Sequence, residues 1–176
     1  MGLWQKAGLQ VRVAINLSTR DLATRNLAQL FAKAIEEHGL EPHRLQAEIT
    51  ESFAMHDTAQ ALETLHELRA LGIHITVDDF GTGYSSMAYL RQLPINELKI
   101  DQSLVRGALQ DPTAQGILRA IIELGHGLGL KVTAEGIEDT ATLALLTSIG
   151  CDYGQRYAIA KPLPADEFAK LLRPST

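Results

Sequence analysis

The feature that most constrains the fold of this chain is a regular alternation of short, β-rich runs with longer segments of helical periodicity. We predict strands over residues 11–17, 45–49, 73–77, 97–100, 131–134 and 152–155. Helices are predicted over residues 27–38, 58–71, 86–92, 112–128, 140–149 and 165–172. Connections of only a few residues join these six β–α units, so residues 1–176 are predicted to form one domain of the α/β class.

The polar ends of the predicted strands decide between two architectures. Alternating strands and helices give a parallel sheet, which either stays open and doubly wound or closes as a (β/α)₈ barrel. Nearly every predicted strand ends in polar or charged side chains: Asn16, Glu48 with Glu51, Asp78 with Asp79, Lys99 with Asp101, Glu135, and Gln155. In a barrel these ends meet at one mouth, whereas an open sheet concentrates its ligand groups at a single switch point. We therefore predict a TIM-like barrel of which about six of the eight units are present.

Composition excludes several classes of protein and site. The formal net charge of -5 offers no basic face for duplex nucleic acid. No apolar run is long enough to span a bilayer. A single cysteine, Cys151, permits neither an internal disulfide nor a thiolate metal cluster, and it indicates a reducing compartment, so we expect the cytoplasm. The six histidines do not group by spacing, and each is interpreted as a structural residue.

A set of oxygen-bearing side chains at the strand ends predicts a metal site. Its members are Asn16, Glu48, Asp78, Asp79 and Glu135. Oxygen ligands without His or Cys suit Mg²⁺ or Mn²⁺, and acids gathered at one mouth would repel each other without divalent cations. Two adjacent aspartates can serve a two-metal site that activates water for hydrolysis of a phosphodiester. Lys99 can offset phosphate charge or orient the water.

The same residues have a simpler interpretation. A pair of aspartates before a glycine is common in solvated turns and helix caps. The loop of Phe80, Gly81, Thr82 and Gly83 fits either a flexible lid or ordinary turn chemistry. The residue pattern alone leaves both a structural turn and a two-metal site open.

Six motifs occur in order along the chain. They are NLS at 16–18, EITES at 48–52, DDFGTGYSS at 78–86, LKID at 98–101, AEGIE at 134–138 and CDYGQ at 151–155. This series resembles that of the EAL domain, a bacterial phosphodiesterase family that linearises cyclic di-GMP to pGpG, and the resemblance covers essentially the whole chain. It implies a modified (β/α)₈ barrel that uses Mg²⁺ or Mn²⁺ and is inhibited by Ca²⁺.

The resemblance also implies roles for individual residues. The implied metal ligands are Asn16, Glu48, Asp78 and Asp79, with Glu135 at the metal and water centre. Lys99 is implied to hold a catalytic water or the shell of the second metal. Glu51 is implied to brace the loop over residues 79–86, which couples the active site to dimerisation in this family. Asp101 and Gln155 are implied to support the second metal and the substrate.

Two departures from the family pattern affect these expectations. The Glu-Ala-Leu motif that names the family contributes a glutamate ligand and lies upstream of every motif found here. We therefore expect two strands and that ligand to be missing from this chain. Arg156 stands where the family usually has glycine, and it would either add a phosphate contact or crowd the nucleotide.

Three hypotheses about function remain open. The first is an active cyclic di-GMP phosphodiesterase. The second is a catalytically impaired module that binds cyclic di-GMP or a protein partner without turnover. The third is structural: the exposed strand edges of an incomplete barrel pair with a second copy and give a homodimer. The resemblance further implies a sensory or GGDEF-type domain in a longer parent protein.

Overall fold

The strands of the structure run parallel and pair in the order in which they occur in the sequence. The computed structural model describes residues 2–6, 8–9, 11–54, 59–83, 87–155, 164 and 167–168. Within this part the strands are β1 Val13–Asn16, β2 Leu45–Thr50, β3 His74–Phe80, β4 Glu97–Ile100, β5 Lys131–Ala134 and β6 Tyr153–Gly154. They form one sheet in the order β1-β2-β3-β4-β5-β6. A doubly wound sheet would reverse its strand order at a switch point, so the sequential order confirms the predicted barrel architecture, present as a half-barrel.

Helices connect the strands, and the longer ones match the sequence prediction. The described helices are α1 Gly2–Lys6, α2 Thr19–Leu22, α3 Leu27–His38, α4 Glu51–Ala54, α5 Ala59–Ala70, α6 Met87–Leu90, α7 Gln102–Val105, α8 Pro112–Gly127 and α9 Thr140–Ser148, with a 3₁₀ turn at Pro42–Arg44. As predicted, α3 ends at Gly39, whose φ of 57° is the left-handed conformation that glycine adopts at low cost. The predicted helix starts at 58 and 86, and most of the predicted helix 165–172, lie outside the described residues.

Strand β3 differs from its prediction at the pair of aspartates. The predicted strand ends at Val77, but β3 continues through Asp78 and Asp79 to Phe80. Its pairing with β4 shifts register between Val77 and Phe80, and Asp79 has a φ of 55°. A side chain in this left-handed conformation is under strain, which aspartate tolerates better than most residues. The aspartates thus occupy an irregular end of a strand rather than a solvated turn after it.

The two faces of the sheet have opposite character. Right-handed crossovers between strands in sequential order place the helices on one face. That face carries a fully buried apolar layer of Ala47, Ile49, Ile75, Val77, Leu98, Ile100, Val132 and Ala134. By period-two alternation the other face carries buried polar groups: Glu48, Thr76, Glu97, Lys99 and Thr133. The polar face is therefore the barrel interior, and its upper end forms the mouth.

In the described residues, every helix is too short or too polar to cross a lipid bilayer.

Candidate active site

A single ammonium group gathers three carboxylates at the mouth of the half-barrel. The Lys99 Nζ lies 2.6 Å from Glu135 Oε1, 3.0 Å from Asp78 Oδ1 and 3.3 Å from Glu48 Oε1. The lysine side chain is only 8% exposed. Glu48, Asp78 and Lys99 lie on the neighbouring strands β2, β3 and β4, and Glu135 directly follows β5. Strand ends that are distant in sequence thus converge on one point, as the barrel prediction requires.

The sharing of one positive charge among three acids sets the protonation behaviour of the cluster. Burial would lower the pKa of Lys99, but hydrogen bonds to Glu135 and Asp78 and the charge of Glu48 outweigh it and raise that pKa. The pKa of Glu135 is also raised, because burial and the negative charges of Asp78 and Glu48 outweigh its contact with Lys99. The lysine therefore stays charged, while Glu135 holds a proton more readily than an ordinary glutamate.

Asp79 lies beside this cluster and is the less compensated of the two aspartates. Burial raises the pKa of its carboxyl group, and the neighbouring charges of Asp78 and Asp101 raise it further. Among the described residues its carboxylate forms no ion pair. Its own backbone N–H donates to Asp78 Oδ1 at 3.0 Å, which fixes the adjacent carboxylate relative to the chain. The mouth thus contains more negative charge than Lys99 neutralises.

Glu51 holds the loop that follows the aspartates. Its Oε2 accepts hydrogen bonds from the backbone N–H groups of Gly81, Thr82 and Gly83 at 2.8, 3.1 and 3.0 Å. The Glu51 side chain is buried, so these charge-assisted bonds form away from water. The predicted contact between Glu51 and this loop is therefore present for the described residues, while the rest of the loop, residues 84–86, lies outside them.

The remaining predicted site residues occupy the rim of the mouth. Asn16 is exposed at the end of β1, in register with Glu48 on β2. Asp101 caps α7 by accepting from the Ser103 N–H at 2.8 Å. The pKa of Asp101 is lowered, first by a hydrogen bond with the Ser103 side chain and then by those with backbone N–H groups, which together outweigh burial. Gln155 is exposed, and its backbone N–H donates to Ala134 O at 2.8 Å. Arg156 lies outside the described residues, so its predicted influence on the substrate stays a prediction.

The donor chemistry at the mouth fits magnesium or manganese. The available side-chain donors are carboxylate and amide oxygens, which these hard cations prefer, and the acids outnumber the one lysine that they surround. In the described residues, however, no three His, Cys, Asp or Glu side chains converge closely enough to hold one metal ion. The point shared by Glu48, Asp78 and Glu135 is filled by the Lys99 ammonium instead. The residue types therefore fit a divalent cation. In this structure the positive charge between the acids is the Lys99 ammonium group.

Sequence reasoning missed a second polar cluster in the interior, one layer below the mouth. Glu97 accepts from Thr133 Oγ1 at 2.5 Å and lies 3.1 Å from His74 Nε2. Burial alone would raise the pKa of Glu97, but the contacts with His74 and Thr133 outweigh it and lower that pKa. Period-two alternation from Lys99 along β4 is the signal that could have located Glu97 on the interior face.

Comparison with known proteins assigns the chain to a family. The bifunctional diguanylate cyclase/cyclic di-GMP phosphodiesterase MucR of Pseudomonas aeruginosa is 41% identical over 168 residues, 95% of this chain and 24% of MucR. The cyclic di-GMP phosphodiesterase PdeR of Escherichia coli is 36% identical over 167 residues, 95% of this chain and 25% of PdeR. The chain thus spans about a quarter of the length of these curated relatives.

Solved structures agree in fold along nearly the whole chain. The complex of PaMucR phosphodiesterase with c-di-GMP aligns with a TM-score of 0.88 and 41% identity, over 96% of this chain and 68% of that chain. The EAL domain of Mycobacterium smegmatis DcpA aligns with a TM-score of 0.91 and 34% identity, over 97% of this chain and 77% of that chain. Residues 1–162 match the EAL domain family itself, and the chain therefore belongs to that family.

Proposed function

We propose that this chain is the catalytic domain of a phosphodiesterase that hydrolyses cyclic di-GMP to linear pGpG. The observation that carries the proposal is the convergence of Glu48, Asp78 and Glu135 on Lys99 at the mouth of the half-barrel. Clustered acids can hold the divalent cations that would offset the negative charge of a phosphodiester and of its leaving oxygen, and Lys99 adds one fixed positive charge. MucR and PdeR, which are named as cyclic di-GMP phosphodiesterases, support the choice of substrate.

The cofactor proposed for this reaction is a pair of Mg²⁺ or Mn²⁺ ions. The residues that would hold them are Asn16, Glu48, Asp78 and Asp79. Bound there, the ions would neutralise phosphate charge and lower the pKa of an attacking water. The family resemblance adds that Ca²⁺ would inhibit the reaction.

The side chains of this chain have separate tasks in the proposed reaction. Lys99 keeps three repelling carboxylates in place and presents a permanent positive charge toward the phosphate. Glu135, whose pKa is raised, is suited to hold or pass the proton that leaves the water. Glu51 positions the loop beside the aspartates by fixing three backbone N–H groups. Asp101 and Gln155 line the rim on the side where the substrate and second metal would lie.

The proposal is tested by measuring Mn²⁺-dependent conversion of cyclic di-GMP to pGpG by the protein as its gene encodes it. Asp78→Asn keeps the shape of the side chain and removes its charge, so we expect a rate at least about 100-fold lower. Glu123→Gln is the matched control, because Glu123 is exposed on α8, and we expect an unchanged rate. Equal rates for the two variants would remove Asp78 from the site, and no pGpG from the unaltered protein would reject the activity.

A second candidate function is binding of cyclic di-GMP without turnover. It is favoured by the position of Lys99, which fills the point where the described acids would otherwise share a metal ion. Calorimetry with Ca²⁺ in place of Mn²⁺ separates the candidates. Saturable binding of cyclic di-GMP together with no pGpG in Mn²⁺ supports the binding module, whereas product formation in Mn²⁺ supports the enzyme.

We also propose that the domain acts in the cytoplasm as a homodimer and in the company of a sensory or GGDEF-type domain. The greater length of its curated relatives, and the description of MucR as a bifunctional cyclase and phosphodiesterase, support the second part. Sedimentation of the whole protein tests the first part, and a monomer at micromolar concentration would contradict it.

A further inference from the structure

A basic cavity lies at the end of the sheet opposite to the acid cluster. Its volume is about 240 Å³ and its lining is Arg12, His43, Arg69, Gly72, Ile73, His74 and Asn96. All of these residues precede or begin strands β1 to β4, or belong to the helix and turns that lead into them. Acids thus gather where the strands end, and bases gather where they begin.

The positive charge of this cavity is only partly neutralised by the protein. Arg12 lies 4.0 Å and His74 3.1 Å from Glu97, which therefore serves both of them. Glu41 lies 3.3 Å from His43, but its Oε2 also accepts from Arg44 Nε at 2.5 Å.

Arg69 is the cation that these acids do not reach. Within the described part of the chain its guanidinium forms no ion pair and no hydrogen bond. An arginine stays charged at any physiological pH, so the cavity keeps an excess of positive charge even when both of its histidines are neutral.

The cavity also offers neutral hydrogen-bond donors and room for a small ligand. Asn96 Oδ1 accepts from the Ile75 N–H at 3.0 Å, so the amide nitrogen of Asn96 points elsewhere. This nitrogen has no hydrogen-bond partner among the described residues and can donate to a ligand. Gly72 contributes no side chain to the lining. A volume of about 240 Å³ holds one phosphate-sized anion with its waters, whereas pockets for drug-sized ligands begin at roughly 300 Å³.

From these observations we infer that the cavity at the start of strands β1 to β4 binds a small tetrahedral oxyanion, such as inorganic phosphate or a phosphomonoester. Arginine pairs well with phosphate oxygens because its planar fork donates two parallel hydrogen bonds. The ligand lies between Arg69 and the Arg12–His74 side of the cavity, with the Asn96 amide as a further donor. Binding there ties helix α5 to the first strands and leaves the acid cluster at the other end free.

The experiment is a titration of the protein as its gene encodes it with inorganic phosphate, in EDTA and at constant ionic strength. Binding is followed by ¹⁵N NMR and by calorimetry. We expect saturable binding in the millimolar range, with shifts of the Gly72, Ile73 and His74 amides. Shifts confined to the amides of Gly81 and Thr82 would place the anion at the mouth and overturn the inference, as would a change that chloride reproduces.

Two variants and one control locate the binding site. Arg69→Gln and His43→Gln change exposed side chains, so both are expected to fold. We expect Arg69→Gln to weaken phosphate binding about fivefold to tenfold and His43→Gln to weaken it less. Arg119→Gln is the control, because Arg119 is also an exposed helical arginine, and its affinity should equal that of the unaltered protein. Equal affinities for the Arg69 and Arg119 variants, or acetate binding as tightly as phosphate, would overturn the inference.

Discussion

The Lys99 ammonium group is shared by three carboxylates, so its single positive charge neutralises each of them only in part. At the residue scale this explains why Lys99 and Glu135 both have raised pKa values although they form an ion pair with each other. The lysine gains from every acid around it, whereas Glu135 gains from one cation and is opposed by burial and two acids. The cluster therefore carries an excess negative charge that a further cation would stabilise.

The first prediction concerns Glu51 and the loop that it holds. Glu51→Ala removes the acceptor shared by the Gly81, Thr82 and Gly83 N–H groups and leaves these donors without their carboxylate. We expect a loss of about 2 to 3 kcal/mol in the free energy of unfolding. Hydrogen exchange of the three amides should accelerate by more than tenfold, as measured by NMR.

Glu67→Ala is the control for this prediction. Glu67 lies exposed on α5, so its removal should change the unfolding free energy by less than about 0.5 kcal/mol. Unchanged exchange at all three loop amides in Glu51→Ala would mean that the loop is held by other contacts.

At the scale of elements, two glycines of helix α8 differ in whether the packing around them leaves room for a side chain. A Cβ at Gly125 would lie 2.5 Å from Val132 Cγ2, because α8 packs closely on β5 there. Gly116 in the same helix is exposed, and a Cβ added to it would meet no described atom within 4 Å. The first glycine permits close packing of helix on sheet, and the second only lowers the stability of the helix.

The second prediction follows from this pair. Gly125→Ala should destabilise the protein by about 1 to 3 kcal/mol through overpacking, although alanine favours the helix. Gly116→Ala should stabilise it by about 0.5 to 1 kcal/mol. Urea unfolding measures both changes. The cost of Gly125→Ala should be smaller in a Val132→Ala background, and an equal cost in both backgrounds would show that the clash is relieved elsewhere.

Prediction from sequence works for strands and for helices of several turns, and it fails for helices of about one turn. The periodicity of α3, and the exact bounds of β4 and β5, were predictable because several residues contribute to each pattern. Helices α2 and α7 have four residues each and α4 has four described residues, which is too few to show a period. The readable signals are at their starts: α2 has the capping box between Ser18 and Asp21, and α7 has the N-cap Asp101.

At the scale of the whole molecule, Asp152 links three elements near the last described strand. Its carboxylate accepts from Lys131 Nζ at 2.6 Å and from the Val132 N–H at 3.0 Å, and it lies 2.8 Å from His126 Nε2. Burial would raise the pKa of Asp152, but these contacts outweigh it and lower that pKa to about 2 from its ordinary value of 3.8. Helix α8, strand β5 and strand β6 are thereby joined through one charged group.

The third prediction is the effect of pH on this link. A carboxylate whose pKa is depressed on folding adds stability above its unfolded pKa, and that stability is lost as the pH falls through the folded pKa. Allowing for solvent screening at this partly exposed site, we expect Asp152→Asn to cost about 1 kcal/mol near pH 6. The difference from the unaltered protein should shrink toward zero between pH 4 and pH 2.

Unfolding in urea at several pH values measures this difference. Glu123→Gln is the control, because Glu123 is exposed and forms no ion pair in the described part of the chain, and its difference should stay near zero throughout. A difference for Asp152→Asn that does not vary with pH would contradict the prediction.

The convergence of the acids could be predicted at the molecular scale, but their exact partner could not. Polar residues at successive strand ends indicated a common mouth, and the structure brings Glu48, Asp78, Lys99 and Glu135 together there. The register shift in β3, which orients Asp79, has no signature in the residue pattern. His43 and His74 were interpreted as unrelated, yet they line one cavity, because only the topology brings the starts of β2 and β3 together.

The sequential order of the strands has a consequence for how the domain is made. Among the described strands, each one pairs only with those that precede and follow it in the sequence. During synthesis, each of the described strands after β1 therefore finds a partner already made at the growing edge of the sheet. Chain closure between paired strands spans one β–α unit at a time, which favours stepwise folding from the amino end onward.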